Sequence, residues 1–155
     1  MMQPERVVKE AFAVIGLEGS TAEGAGFVQR LWAEANARFP EVEPLALRDA
    51  GGSLLGVWGA MTDPERGFLP WTEGFTRGLY LAGVECPLDA EPPEGWTKWI
   101  VPGFAYLRVE RDSDASFAQM IAFMKQNGIP LAGAAQDFTC PATGKNYILF
   151  PVRRL

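Results

Sequence analysis

A short internal repeat limits the folds that this chain can adopt. Residues Phe12–Glu18 (FAVIGLE) align with residues Phe104–Glu110 (FAYLRVE) at a constant offset of 92, and three of the aligned positions are identical. In each copy, strand-forming apolar residues are followed by polar residues that can cap a helix. Repetition at a fixed offset indicates that one structural unit occurs twice. We therefore expect two similar modules related by a pseudo-twofold axis.

The elements predicted around the repeat recur in the same order. The first half contains a strand at 12–17, a helix from about 22 to 38, and strands at 53–61 and 77–86. The second half contains a strand over 97–110 that is interrupted at Pro102-Gly103, a helix over 112–128, and strands at 133–139 and 146–153. The periodicity of the apolar residues supports each of these assignments. The order strand-helix-strand-strand therefore occurs twice.

This repeated order predicts an α+β fold, with duplicated strand-helix-strand-strand modules and helices packed on a mostly antiparallel sheet. Module one spans about 5–86 and module two about 96–155. The acidic, proline-rich residues 87–95 between them are predicted to be a linker. We expect one domain over residues 1–155, because a chain of this length buries enough surface for a core without disulfides.

The charge of the chain argues against nucleic acid as a partner. It has 14 basic and 19 acidic residues, which give a net charge of −5, and the basic residues are scattered singly. A phosphate-binding surface needs them clustered. The longest uncharged apolar stretch, Leu79–Val84, is too short to cross a bilayer, and the N-terminus lacks the apolar segment of a signal peptide. We expect a cytoplasmic protein with Cys86 and Cys140 reduced.

Histidine is absent from the sequence. Its absence excludes a Ser-His-Asp triad, a Cys-His pair and a histidine-ligated metal site. The side chains that remain for chemistry are carboxylates, tyrosines, cysteines and lysines, and we expect neither a metal nor an organic cofactor.

Aromatic residues concentrate near the junction of the two modules. They are Trp71, Phe75, Tyr80, Trp96, Trp99, Phe104 and Tyr106. Large flat side chains of this kind line small-molecule pockets, and they also complete hydrophobic cores. Both interpretations remain open for each residue.

Glu85 is the carboxylate that the sequence singles out. Strand alternation places it on the same face as Leu79, Leu81 and Gly83, where a carboxylate needs a cationic partner or acquires a raised pKa. It could attract cationic ligands or act as a general base toward water. The alternative is a solvated strand end before Pro87.

Three further residues complete the candidate site. Tyr106 and Tyr147 could each donate a phenolic proton into a pocket, although tyrosines in strands more often serve packing. Asp137 lies inside a predicted strand of module two. It is either a second pocket carboxylate or a charge that protects a sheet edge.

Several segments together resemble the GyrI-like effector-binding domain family. They are Gly78–Glu85 (GLYLAGVE), Gly95–Trp99 (GWTKW), Pro102–Tyr106 (PGFAY) and Tyr147–Val152 (YILFPV). Their order and spacing extend the resemblance over almost the whole chain. The family fold is a pair of strand-helix-strand-strand modules, in agreement with the repeat.

The resemblance implies a cleft between the modules that takes bulky, aromatic, often cationic compounds, with a family glutamate that matches Glu85. The few residues before the first strand leave no room for a DNA-binding domain, so a stand-alone member is expected. Lys, Arg and Pro near several predicted strand edges favour a monomer. Trp71, Trp96 and Trp99 make the chain similar to a subgroup that hydrolyses cyclopropane rings in DNA-alkylating compounds. Family members often carry a glutamate where Tyr147 stands, so a second carboxylate would have to be Asp137.

Three functions follow from this resemblance. In a hydrolase, Glu85 would deprotonate a water while Tyr106 or Tyr147 hydrogen-bonds the developing oxyanion. In a binding protein, the same pocket would sequester or sense hydrophobic aromatic compounds. Inhibition of DNA gyrase, which the family name suggests, is the least favoured, because no feature of the sequence indicates a partner surface.

Overall fold

The computed structural model describes residues 3–155, and within them eight strands form one antiparallel sheet. The strands are β1 (Glu5–Lys9), β2 (Phe12–Ser20), β3 (Val57–Thr62), β4 (Leu79–Cys86), β5 (Thr97–Val101), β6 (Phe104–Glu110), β7 (Gln136–Thr139) and β8 (Asn146–Arg154). The helices are α1 (Phe27–Ala37), α2 (Thr72–Phe75) and α3 (Ser116–Gln126). The predicted α+β fold with helices on an antiparallel sheet is confirmed.

The strand order shows the duplication directly. Across the sheet the order is β1-β6-β8-β7-β3-β4-β2-β5, and every neighbouring pair is antiparallel. Read outward from the central β3–β7 pair, β3, β4, β2 and β5 correspond to β7, β8, β6 and β1. The helices α1 and α3 follow the equivalent strands β2 and β6. The two halves therefore meet where β3 pairs with β7.

The edge strands are exchanged between the halves, and this forces the sheet to curve. β1 leads into β2 but pairs with β6, and β5 leads into β6 but pairs with β2. Each connection has only two residues, which reach about 11 Å at full extension. In a flat sheet the connected strands would stand six spacings of about 4.8 Å apart, or roughly 29 Å. The sheet must therefore curl until its two edges approach each other.

The curved sheet has an inner and an outer face with separate cores. On the outer face, α1 packs over module one and α3 over module two, each with its own apolar cluster. The inner face is filled by residues from both halves. Its cluster includes Phe12, Trp58, Leu81, Trp99, Phe104, Tyr106 and Leu149. Gly16 and Gly83 face each other across β2 and β4, where a Cβ on either would overlap the opposite backbone, so these strands approach closely.

Several predicted boundaries were wrong. The first strand, β1, was not predicted, because its charged and apolar residues do not alternate and most of them are exposed at the sheet edge. Ser20 and Glu23 form the predicted capping box, but they cap a single 3-10 turn. The helix α1 starts only at Phe27, because Gly24 and Gly26 adopt positive φ angles of 92° and 82°. The strand predicted to start at residue 53 begins at Val57.

None of the helices in residues 3–155 is long and apolar enough to cross a bilayer.

Candidate functional site

A cavity of about 250 Å³ opens on the outer face, where the two halves of the sheet meet. Both halves contribute to its walls: α1, β3, β4 and the 70–75 segment from module one, and α3, the 131–135 segment and β7 from module two. The lining is almost entirely apolar. The residues that define its chemistry are Val28, Trp71, Phe75, Tyr80, Phe117 and Asp137.

One wall is the irregular segment between β3 and β4. Asp63 closes its first turn by accepting backbone N–H groups of Gly67 at 2.7 Å and Leu69 at 3.1 Å. Burial opposes ionisation of Asp63, but these N–H groups hold the pKa of its carboxyl below the usual value. Asp63 is therefore ionised at neutral pH and fixes the start of the wall.

The aromatic part of this wall is held by specific contacts. The Trp71 indole covers Gly78, where a Cβ would overlap its ring, and its Nε1 donates to the carbonyl oxygen of Leu79 at 3.1 Å. Phe75 meets Phe117 of α3 edge to face, with ring centroids 5.3 Å apart. Phe75 adopts a positive φ of 67°, which is unusual for a bulky residue. The Phe75–Phe117 contact therefore joins the two modules across the cavity.

Tyr80 forms part of the cavity floor from β4. Its ring lies over Gly59 of β3, where a Cβ would overlap the phenolic hydroxyl. The Trp32 Nε1 of α1 donates to that hydroxyl at 2.9 Å. Burial, and the neighbouring Asp137 carboxylate toward which the hydroxyl donates, raise the pKa of Tyr80, so the phenol stays protonated at neutral pH.

Asp137 supplies the carboxylate of the floor from β7. Its Oδ1 lies 2.9 Å from Nη2 of Arg111, which follows β6. Burial raises the pKa of the Asp137 carboxyl, while the charge and hydrogen bond of Arg111 and the hydroxyl of Tyr80 act in the opposite direction. The floor thus combines a carboxylate, a guanidinium and a phenol beneath an aromatic cavity.

This arrangement can hold a hydrophobic aromatic molecule that carries a positive charge. Ligand sites are typically apolar and orient their ligands through a few polar groups. The faces of aromatic rings attract cations, and a carboxylate in an apolar setting adds to that attraction. Arg111 partly offsets the negative charge of Asp137.

Glu85 lies outside this cavity, on the inner face of the sheet. It is only 5% exposed, and both of its carboxylate oxygens are engaged. Oε2 accepts from Lys9 Nζ at 3.0 Å, and Oε1 accepts from Trp58 Nε1 at 3.0 Å. Tyr80 and Glu85 stand five positions apart on one strand, so their side chains point to opposite faces. The two residues that the sequence offered for one site therefore do not border the same cavity.

The remaining sequence candidates divide between the two faces. Trp71, Phe75, Tyr80 and Asp137 line the cavity. Trp99, Phe104 and Tyr106 belong to the inner core, and Tyr147 packs against it beside Phe138. Trp96 lies on the outer face under α1 and donates its Nε1 to Glu41 at 3.1 Å. Strand alternation and the position of α1 thus separate residues that are close in the sequence.

The structure adds residues to the site that the sequence did not single out. Phe117 was predicted only as part of the apolar stripe of a helix. Val28 has the same origin in α1. Arg111 directly follows the repeated segment and gave no local signal, because its partner Asp137 is 26 positions away.

Comparison with known proteins places the fold. No protein-family profile matches the sequence, and no curated protein matches it. Among solved structures, SAV2435 bound to tetraphenylphosphonium superposes with a TM-score of 0.66 and 13% identity, over 98% of this chain and 94% of that one. The EcmrR C-terminal domain gives a TM-score of 0.65 and 13% identity, over 100% and 99% of the two chains. The fold is GyrI-like.

A third GyrI-like neighbour is a putative bacterial transcription regulation protein from Staphylococcus aureus MU50. Its TM-score is 0.62 with 14% identity, and 99% of each chain is covered. These identities are low, so the likeness establishes the fold alone. Within residues 3–155, no group of three or more Cys, Asp or Glu side chains is placed to hold a metal ion.

Proposed function

We propose that this protein binds bulky, hydrophobic aromatic small molecules, including organic cations, in the cavity between its modules. The observation that carries the proposal is the aromatic cavity with a single carboxylate, Asp137, in its floor. Its volume of about 250 Å³ is just below the range of roughly 300–1,000 Å³ that is usual for ligand pockets. A larger ligand would have to displace the wall at Trp71 and Phe75.

The structural neighbours support this proposal. SAV2435 was solved with tetraphenylphosphonium, which is a bulky aromatic cation. The cavity described above offers aromatic faces for phenyl rings and a carboxylate for the charge. This chain shares the fold of SAV2435, and the residues that line its cavity are chemically suited to an aromatic cation.

The contacts of Glu85 favour binding over hydrolysis. In the hydrolase hypothesis for cyclopropanoid alkylators, Glu85 must activate a water, with Tyr106 or Tyr147 stabilising the oxyanion. Its two oxygens instead accept hydrogen bonds from the partly exposed Lys9 and from Trp58 of the inner core. A carboxylate that is already satisfied in this way is a poor general base. Sequestration or sensing of the ligand, without turnover, is the function that the geometry supports best.

The proposal is tested by titrating tetraphenylphosphonium and neutral triphenylphosphine oxide into the protein by calorimetry. We expect saturable one-to-one binding of both. Phe75→Ala removes an aromatic wall and should weaken both ligands about tenfold, since a buried aromatic contact contributes on the order of 1.5 kcal/mol. The matched control is Leu69→Ala, which removes an exposed apolar side chain of the same segment outside the cavity lining.

Absence of saturable binding for both ligands would contradict the proposal, as would equal losses in Phe75→Ala and Leu69→Ala. Mass spectrometry of a cyclopropane-bearing alkylator incubated with the protein provides the test for turnover. Catalytic appearance of the water adduct, abolished in Glu85→Gln, would replace the binding function with hydrolysis.

A further inference from the structure

The ion pair beneath the cavity is built from an unusual combination of strands. Arg111 follows β6, and its backbone N–H donates to the carbonyl oxygen of Asn146 at 2.8 Å. From there its side chain reaches past β8, which lies between β6 and β7, to Asp137. This backbone hydrogen bond fixes the position from which the Arg111 side chain extends. The ion pair is therefore a defined feature of the site.

The pair is oriented with its negative end toward the ligand space. Asp137 lines the cavity, whereas Arg111 is absent from the cavity lining and its side chain is 36% exposed. With both groups ionised, the net charge of the floor is zero. A cation in the cavity is attracted by Asp137 and repelled by Arg111 from farther away, so the two interactions largely cancel.

We propose that Arg111 is a specificity-determining residue of this cavity: as an internal counter-cation, it makes the site nearly indifferent to ligand charge, so that aromatic shape selects the ligand. The inference rests on the proposed binding function and assigns the ligand class more closely. The favoured ligands are bulky aromatic molecules that are neutral or carry one delocalised positive charge. Compact ammonium groups are disfavoured, because Asp137 already has a cationic partner and a compact ammonium loses more hydration.

The net charge of the floor can be set by substitution. With Asp137 ionised it is zero in the wild type, −1 in Arg111→Met, +1 in Asp137→Asn and zero again in the double variant. Methionine retains much of the length of the arginine stem. Each protein is titrated at pH 8 with tetraphenylphosphonium and with neutral triphenylphosphine oxide, and the ratio of the two Kd values is compared.

We expect Arg111→Met to tighten tetraphenylphosphonium about fivefold and Asp137→Asn to weaken it about tenfold. The Kd of the neutral ligand should change less than twofold in both. The double variant should return the ratio to within about twofold of the wild type. Arg111→Lys keeps the positive charge, so its ratio of the two Kd values should also stay within about twofold of the wild type.

Two controls separate this effect from general ones. Arg153→Met removes a positive charge from an exposed position of β8 outside the cavity lining and should leave both Kd values unchanged. Thermal unfolding of each variant shows whether it is folded at the titration temperature. If Arg111→Met proves unfolded, the ratio of the two Kd values is measured in Arg111→Gln and Arg111→Lys instead. Arg111→Gln should then bind tetraphenylphosphonium more tightly, and Arg111→Lys should not.

An unchanged ratio in folded Arg111→Met would overturn the role of Arg111 while leaving the binding function intact. A parallel change for both ligands would also overturn it, since that result indicates altered shape. Failure of the wild type to bind either ligand would overturn the proposed function itself and this inference with it.

Discussion

Two acidic residues, one on each face of the sheet, are both paired with a basic residue but differ in what surrounds them. Glu85 on the inner face is buried and has both oxygens hydrogen-bonded, by Lys9 and Trp58. Asp137 on the outer face shares Oδ1 with Arg111 and borders an aromatic cavity. Free space adjoins the Asp137 carboxylate, whereas the oxygens of Glu85 are occupied by protein donors. Under the proposed function we therefore expect Glu85 to contribute to stability and Asp137 to ligand recognition.

The largest expected effect breaks the inner pair. Glu85→Ala leaves the buried Trp58 Nε1 without its acceptor and Lys9 without its partner. We expect the free energy of unfolding in urea to fall by about 3 kcal/mol, because the change removes a buried side chain and leaves the buried Trp58 indole N–H unsatisfied, although Lys9 is partly exposed. The Kd of tetraphenylphosphonium for the folded protein should not change.

The control for this prediction is Glu34→Ala, which breaks an exposed ion pair with Arg38 and should change stability by less than about 0.5 kcal/mol. Loss of ligand binding in Glu85→Ala without loss of stability would reverse the roles of the two carboxylates.

The next effect concerns the floor of the cavity. In Gly59→Ala the new methyl group overlaps the Tyr80 hydroxyl and must push the ring toward the ligand space. Overpacking of this kind costs about 2 kcal/mol, so both stability in urea and affinity for aromatic ligands should decline. Gly51→Ala, in an exposed turn, is the comparison and should leave affinity unaltered. Wild-type affinity in Gly59→Ala would show that Tyr80 does not border the ligand.

A smaller effect is expected for the hydroxyl of Tyr80. Tyr80→Phe deprives Trp32 Nε1 of its acceptor and should lower the free energy of unfolding by about 1 kcal/mol. The Trp32 indole N–H should then exchange faster with solvent, as measured by nuclear magnetic resonance. Unchanged exchange would show that the contact does not protect that proton.

The smallest effect is the pH dependence of cation binding. Burial raises the pKa of Asp137, so as pH falls through that pKa the floor loses its negative charge and retains Arg111. Tetraphenylphosphonium should therefore bind about threefold more weakly where Asp137 is partly protonated, and the loss should approach that of Asp137→Asn at full protonation, whereas the neutral analogue should show no change. The pKa of Asp137 is higher in the folded protein than in the unfolded chain. Its contribution to the free energy of unfolding is therefore largest below the pKa of the unfolded chain, and it is lost as pH rises through the pKa of the folded protein. Asp137→Asn should remove the pH dependence of binding, and its persistence would exclude Asp137 as its source.

The fold was predictable because two independent signals agree. The repeat around Phe12 and Phe104 and the recurring order of elements both require two similar modules. The exchange of β1 and β5 was not predictable, since edge pairing depends on contacts between the halves. The late start of α1 depends on the left-handed conformations of Gly24 and Gly26.

The site was only partly predictable for a physical reason. Alternation along β4 puts Tyr80 and Glu85 on opposite faces, and the sequence alone contains that fact. It does not say on which face space remains, because the cavity is formed by the 70–75 segment and α3 meeting across the junction. For Asp137 the sequence leaves two interpretations open, a pocket carboxylate and an edge charge, and only its contacts distinguish the two.

The most direct test of the central claim uses the indole N–H signals of the five tryptophans as position markers. Each donates to a different acceptor: Trp32 to Tyr80, Trp58 to Glu85, Trp71 to Leu79, Trp96 to Glu41 and Trp99 to Glu18. On addition of tetraphenylphosphonium, the signals of Trp71 and Trp32 should shift and that of Trp58 should stay in place. A shift of Trp58 with an unchanged Trp71 would place the ligand beside Glu85 on the inner face and contradict the assignment of the site.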